Sequence, residues 1–408
     1  MTMTPSEVKS DFAARLSELK HRFDALKPEL ELVVRDPDMG VEGYVVVWNT
    51  LASVGGPLGR VGKGGTRITP DVSLDEIRML ARIMTLKNAA AGLPLGGAKS
   101  GLVGDPDAPG FEAKYRRFVE LVKPILRENG GIFGGFGFDL GARPEHALWA
   151  CDVLHSRQSF TGKPLSMGGT DYDNEGVAGL GVETAAEVLL QEDGIDLSQA
   201  SCAVQGLGAM GAAIIRYASE NGIKVVAFSD PRIGGTVLVP DGLTKDLQDA
   251  IVARDFDRTN SCIKTGNYAI RPLEDVMYLD TTVFFPAARQ DVIDGTNVSR
   301  VAAKYVVEGA NNPVSEEART YLHEHGIKLV PDFIANPGGI VAAFVELTST
   351  ADPEENVKSR VNVSEAKRMT VDNVSKNVRE MCRLVQEHGV EPSDAGMYLA
   401  LSAIFKDR

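Results

Sequence analysis

The apolar positions of the first half of the chain change period several times. Phe12, Leu16, Leu19, Phe23 and Leu26 recur every three to four residues, which predicts an amphipathic helix within 5–27. The β-branched and aromatic run Gly43–Trp48 predicts a strand. Ser73 and Glu76 make a capping-box pair. With Leu74, Ile77, Leu80, Ala81 and Met84 they predict a helix running to Lys87. Residues 54–67 are glycine-rich and read as a loop. The stretch Lys87–Gly101 reads as a helix end followed by a second loop, because Pro94 and the glycines around Lys99 forbid a continuing helix. A helix is expected over 111–129, then a short buried strand over 131–139 whose exit delivers Asp139. A polar, glycine-rich loop is expected over 166–181.

From about Val182 helix and strand patterns alternate, the mark of a doubly wound parallel sheet. Strands are expected at 201–205, 223–229, 282–285, 305–307 and 328–330, with helices at 183–192 and 209–221. The last stretch lacks this alternation and carries helical runs at 365–387 and 397–405. The pattern predicts an α/β chain with an N-terminal α/β domain over 1–182 and a dinucleotide-binding domain of the Rossmann type over 183–344. The segment 345–408 is expected to pack back on the first domain.

Composition narrows the function classes. The net charge is −13, which argues against nucleic acid or an anionic membrane as the partner. No window approaches twenty uncharged apolar residues, so no membrane span is expected. The start, Met1–Pro5, lacks the basic end and apolar run of a secretory signal. Cys151, Cys202, Cys262 and Cys382 lie far apart, with neither metal spacing nor a disulfide framework, which fits a reducing cytoplasm. The six histidines suggest no metal site.

Two stretches carry chemistry. Gly206-Leu207-Gly208-Ala209-Met210-Gly211 follows a β-rich strand, opens an Ala/Ile-rich helix and precedes Asp230 at the end of the next strand. That is the context of a dinucleotide turn, with the helix N-terminus facing a pyrophosphate and Asp230 facing the adenosine ribose. Asp230 points to NAD; Arg232, two residues on, leaves NADP open. The second stretch is a set of cations in glycine frames: Lys63 in Gly-Lys-Gly-Gly, and Lys87 and Lys99 around the 87–101 stretch. Two ammonium groups converging on a glycine-lined hollow suggest an anion site or a lysine of lowered pKa.

Several matches follow one another in order. They are Lys63-Gly64-Gly65-Thr66-Arg67, Lys87–Gly101, Asp139, Thr161-Gly162-Lys163-Pro164, Gly206–Gly211 with Asp230, Pro286-Ala287-Ala288, Glu308-Gly309-Ala310-Asn311 and Asn336-Pro337-Gly338-Gly339. On them the chain resembles the glutamate/leucine/phenylalanine/valine dehydrogenase family, most closely its glutamate dehydrogenase branch. The resemblance implies hydride transfer between a nicotinamide cofactor and a 2-amino acid, with ammonia released or fixed. It implies that Lys99 and Asp139 are catalytic, that Lys87 binds the α-carboxylate and that Lys63, with Gly64 beside it, faces a side-chain carboxylate. It places Ala287, Asn311 and Asn336 with Gly206, Gly208, Ala209, Met210, Gly211 and Asp230 on the cofactor. It also implies a homo-oligomer, a hexamer in the family.

Three positions depart from the family pattern. Ala343 stands where the glutamate branch has a serine that holds the side-chain carboxylate. Ala178 stands where a threonine is usual, and Gly-Phe-Gly-Phe precedes Asp139. L-Glutamate is the expected substrate, with a modified or longer acidic amino acid as the alternative. A regulatory dinucleotide-binding protein without turnover is the reading from another class, and the presence of Lys87, Lys99 and Asp139 argues against it.

Overall fold

A computed structural model describes residues 5–349 and 356–406. The chain divides into two compact units. The N-terminal unit holds Ala14–Tyr172, Gly339–Ala366 and Met397–Arg408; the central unit holds Met1–Ala13, Asp173–Gly338 and Lys367–Gly396. No helix among the described residues is long and apolar enough to cross a membrane.

In the N-terminal unit five strands form one sheet: β1 (Leu30–Asp36), β2 (Val41–Asn49), β3 (Gly62–Lys63), β4 (Thr66–Thr69) and β5 (Gly96–Val103). The order is β1-β2-β5-β3, with β4 also on β5. β5 runs antiparallel to β2 and parallel to β3 and β4. Lys99, expected on a loop, therefore sits within β5, opposite Val46 of β2. Its glycines serve close packing of a strand. A Cβ on Gly97 would lie 2.1 Å from the backbone nitrogen of Thr85, so the helix Leu74–Ala90 can lie directly on the strand only if that position has no side chain. The expected capping box is seen in part, with Ser73 accepting from the Glu76 N–H.

The strand expected over 131–139 shrinks to β6 (Phe136–Gly137), paired in parallel with β7 (Phe160–Thr161). Phe133, Phe136 and Phe160 are fully buried with Tyr115 and Phe118 of the helix Phe111–Val122. Each such ring contributes roughly 2–3 kcal/mol of burial, which fixes the segment running to Asp139 despite its few ladder bonds.

The central unit is a seven-stranded sheet of β8 (Ser201–Gln205), β9 (Lys224–Asp230), β10 (Gly235–Leu238), β11 (Ala269–Arg271), β12 (Val283–Pro286), β13 (Tyr305–Val307) and β14 (Lys328–Val330). The order is β11-β10-β9-β8-β12-β13-β14. The five strands β9, β8, β12, β13 and β14 are parallel. β10 and β11 run antiparallel at one edge; β11 escapes sequence reading because it is exposed along its whole length.

Two expected boundaries shift. The helix expected from 183 begins at Val177, and the division between units falls at Tyr172/Asp173. Gly179 lies inside this helix; a Cβ there would come within 2.5 Å of the Ala213 Cβ, so the glycine permits contact with the helix Ala209–Glu220. The tail does not gather on one unit. Its helix Asn356–His388, 33 residues long and so about 50 Å, turns Thr370 and Val374 towards Gly181 of the central unit.

Candidate active site

The lysine site is built from neighbouring elements of the N-terminal unit. The segment Lys63–Arg67 links β3 to β4 alongside β5, with Lys63 opposite Gly97 and Thr66 opposite Ser100. A Cβ on Gly64 would stand 1.8 Å from the Ala98 carbonyl oxygen, and one on Gly65 2.4 Å from that of Phe138. The glycine pair thus threads between the neighbour of Lys99 and the neighbour of Asp139. Thr66 Oγ1 and Ser100 Oγ close the slot at 2.9 Å.

The slot brings charges together. Lys99 Nζ lies 3.1 Å from Asp139 Oδ2. Arg67 Nε donates to the same oxygen at 2.9 Å, and Arg67 Nη1 reaches Glu76 Oε1 at 2.6 Å. Lys99 is 5% exposed. Burial lowers its pKa; Asp139 opposes that shift, while Arg67 and Lys87 add to it. Burial would raise Asp139, but Lys99 and Arg67 outweigh it and hold the carboxyl below its ordinary range. The result is a carboxylate held ionised beside an amine that releases its proton more easily than a surface lysine.

Lys87 occupies the last turn of the helix Leu74–Ala90. The next residue, Asn88, is buried and donates to the carbonyls of Lys63 at 3.2 Å and Gly96 at 2.7 Å. One amide thus ties the helix end to both strands that carry the other two lysines.

Lys63 is placed differently from the expectation of a cation facing a ligand. Its Nζ donates to the carbonyls of Gly64 (2.8 Å), Gly135 (3.0 Å) and Phe136 (2.7 Å). An ammonium has three N–H donors, and all three are taken up by backbone. Burial lowers Lys63 to about 7; Glu346 opposes that shift, while Lys163 and Lys99 reinforce it.

Sequence reasoning assigned no role to Arg67 or to a buried pair near Lys63. Glu346 Oε2 lies 2.7 Å from Lys163 Nζ, and its carboxylate also accepts from the backbone of Gly162 and Thr170 and from Thr170 Oγ1. The available signal was one acidic residue in an otherwise apolar helix, Gly338–Thr348. Ala343 lies three residues earlier on that helix and is buried, so the two share a face. Ala178 lies in the first turn of Val177–Glu192, in the other unit.

The dinucleotide candidates gather in the central unit. Gly206 has φ +91° and donates to the Ser229 carbonyl at 2.7 Å. A Cβ on Gly211 would sit 1.8 Å from the Gly206 oxygen, whereas one on Gly208 would meet nothing within 4 Å. Gly208 caps the helix that Ala209 and Met210 open. Open space over Gly208 at a helix N-terminus fits a pyrophosphate. Asp230 accepts from the Leu207 N–H at 2.9 Å and from Arg232 Nε and Nη2 at 2.7 Å each. Burial would raise Asp230, yet these donors lower it overall. Arg232 also stacks on Phe256, its Cζ 3.7 Å from the ring centre.

β8 and β12 lie side by side where strand order reverses, the usual place for a ligand in such a sheet. Ala287 follows β12 and donates to the Gln205 carbonyl at 3.0 Å. Gly309 and Ala310, beyond β13, donate to Pro286, and Asn336 Nδ2 reaches the Gly309 carbonyl at 3.0 Å and Asn311 Oδ1 at 3.3 Å. The cofactor candidates therefore line one edge of the sheet, at the C-terminal ends of its parallel strands.

Comparison with known proteins identifies the family. The model for the Glutamate/Leucine/Phenylalanine/Valine dehydrogenase family matches residues 168–407, and that for the Glu/Leu/Phe/Val dehydrogenase dimerisation domain matches residues 28–151. Glutamate dehydrogenase of Thermotoga maritima is 33% identical over 346 residues, covering 82% of this chain and 80% of that protein. NAD-specific glutamate dehydrogenase A of Halobacterium salinarum is 31% identical over 327 residues, covering 78% of this chain and 72% of its own. Among solved structures, the hetero-hexameric glutamate dehydrogenase of Thermus thermophilus in its Leu-bound form superposes with a TM-score of 0.70 at 27% identity, over 100% of this chain and 97% of that one. The chain belongs to the glutamate/leucine/phenylalanine/valine dehydrogenase family and is a nicotinamide-dependent amino acid dehydrogenase.

Proposed function

We propose that the protein interconverts L-glutamate and 2-oxoglutarate, with NAD as hydride acceptor. In the deaminating direction the amino acid, NAD+ and water give the 2-oxo acid, NADH, a proton and ammonium. The observation that carries the chemistry is the Lys99–Asp139 contact of 3.1 Å. An amine leaving a carbon through a carbinolamine needs a base for water, a cation for the developing oxygen charge and a group that exchanges protons with nitrogen. Lys99, buried and of lowered pKa, suits the first two tasks, and Asp139 the third. Lys87 is assigned to the α-carboxylate. The dinucleotide is assigned to Gly206–Gly211 and Asp230, with Ala287, Asn311 and Asn336 at the nicotinamide end. The choice of glutamate rests on the glutamate dehydrogenases among its relatives. We also propose a homo-oligomer in the cytoplasm, a hexamer by likeness to the Thermus enzyme.

A second reading of the substrate has one observation in its favour. With every Lys63 N–H on a backbone carbonyl, no donor of that group remains for a side-chain carboxylate, and Ala343 offers none. This favours an amino acid with a neutral side chain. The test is oxidation of NADH by purified protein with ammonium and a panel of 2-oxo acids. Glutamate requires 2-oxoglutarate to rank among the better substrates, and Ala343→Ser to improve it further. A preference for neutral 2-oxo acids would replace glutamate with the second reading, and no turnover with any acid would remove both.

A further inference from the structure

Arg67 has no part in the roles assigned above, yet it makes the closest contact to Asp139. Its guanidinium spans two carboxylates: Nε on Asp139 Oδ2 at 2.9 Å and Nη1 on Glu76 Oε1 at 2.6 Å. Glu76 is fixed in turn by the start of its helix, its N–H donating to Ser73 Oγ at 3.2 Å. The side chains of Arg67, Glu76 and Asp139 are 21%, 31% and 23% exposed, so the bridge is well shielded without being sealed. Backbone supports it as well, since the N–H of Ile68 donates to the Leu140 carbonyl at 2.8 Å. One residue thus couples β4, the N-terminus of the lysine-bearing helix and the loop that presents Asp139.

We propose that Arg67 is a positioning residue of the amination chemistry. It pins Asp139 through Oδ2, shares that oxygen with Lys99, and leaves Oδ1 as the oxygen that exchanges protons with the substrate nitrogen. Among the described residues, both partners of the Asp139 carboxylate meet Oδ2. Held at its far side by Glu76, the planar guanidinium presents Nε to Asp139 Oδ2 in a fixed direction, which a freely rotating ammonium could not do. Its charge also acts on both members of the pair. The groups around them are Arg67 on β4, Lys87 and Glu76 on the helix Leu74–Ala90, and Lys63 on β3. Loss of the Arg67 charge makes it easier for both Asp139 and Lys99 to hold a proton, so both limbs of a pH–rate profile move the same way.

This inference rests on Lys99 and Asp139 being the proton-handling pair. The test is the pH profile of kcat/KM for oxidative deamination, measured for the wild-type protein, Arg67→Gln, Arg67→Lys and Asp139→Asn. Thermal midpoint and NADH binding by fluorescence serve as controls of folding. Arg67→Gln is expected to move the limbs about one pH unit towards higher pH, which lowers activity about tenfold on the acid side. Arg67→Lys keeps the charge without the fork, so its limbs stay near those of wild type while kcat falls. A lower kcat with unmoved limbs in Arg67→Gln means that Arg67 is merely structural and overturns the proposal. So do limbs that move equally in both arginine variants. If Arg67→Gln does not fold, Arg67→Met serves as the neutral variant: limbs displaced towards higher pH support the proposal and unmoved limbs overturn it. Full activity in Asp139→Asn would instead remove the underlying reading of the pair.

Discussion

Lys99 Nζ and Asp139 Oδ2 stand 3.1 Å apart, although forty residues separate them in sequence. The approach depends on Gly64 and Gly65, which pass between Ala98 and Phe138 where no Cβ would fit. The proximity gives a direct expectation. Asp139→Asn keeps the shape and removes the proton acceptor, so kcat for deamination should fall about 10²–10⁴-fold. NADH titrated by fluorescence should bind as before. A loss of less than tenfold would show that Asp139 is not the shuttle.

Gly64→Ala tests the slot itself. Its methyl would meet the Ala98 oxygen at 1.8 Å, so β3 or β5 must move and carry Lys63 or Lys99 with it. Turnover should drop by at least about a hundredfold, since small displacements of reacting groups are costly, and the thermal midpoint should fall too. Normal stability together with normal activity would mean that the backbone can shift without cost.

Lys63 links burial to pH. Its pKa is about 7 in the folded chain against 10.5 for an ordinary lysine. Between those values the unfolded chain binds the extra proton, so stability rises with pH across the window and the strain is greatest below it. Lys63→Met should abolish its share of that rise. Urea midpoints at pH 7 and pH 9.5 measure it: the wild type should gain more than the variant. Equal gains would place the titration on another group, such as Lys99.

Much of this architecture was legible in the chain, for identifiable reasons. β8, β13 and β14 fall where the alternating pattern placed them, because each centres on a short, buried, β-prone apolar run. Lys99 was misplaced on a loop because glycines usually break regular structure. Here they mark a strand lying so close to a helix and to a neighbouring segment that side chains are excluded. The turn Gly206–Gly211 was readable because Gly206 and Gly211 have local backbone reasons and Gly208 leaves open space at the helix N-terminus. The Arg67 fork and the Glu346–Lys163 pair were not, since which buried charge meets which is decided by distant segments brought together in three dimensions.

That buried pair can be tested for its cost. Glu346 and Lys163 side chains are 1% and 6% exposed. Glu346→Gln leaves an ammonium without its counter-ion in an apolar setting, which typically destabilises by about 3 kcal/mol or more. Denaturant unfolding should register that loss, and the double variant Glu346→Gln/Lys163→Met should recover part of it. No recovery would mean that the hydrogen bonds to Gly162 and Thr170, rather than the charge, hold the loop.

On the cofactor assignment proposed above, the choice between NAD and NADP rests with Asp230 and Arg232. In the structure each occupies the other, through two bonds of 2.7 Å, and Arg232 is further held by the Phe256 ring. A ribose 2′-hydroxyl can donate to Asp230, whereas a 2′-phosphate meets its negative charge before it can reach the guanidinium. Asp230→Ser removes that repulsion and releases Arg232, which is then free to bind phosphate through its fork. The ratio of kcat/KM with NADPH to that with NADH should rise about tenfold or more, and adding Arg232→Ala should reverse the gain. The thermal midpoint should change little, because the Leu207 N–H can still find a hydroxyl acceptor. If the ratio stays fixed in Asp230→Ser, cofactor choice is made elsewhere in the site and the arginine serves only to hold β9 against the helix that carries Phe256.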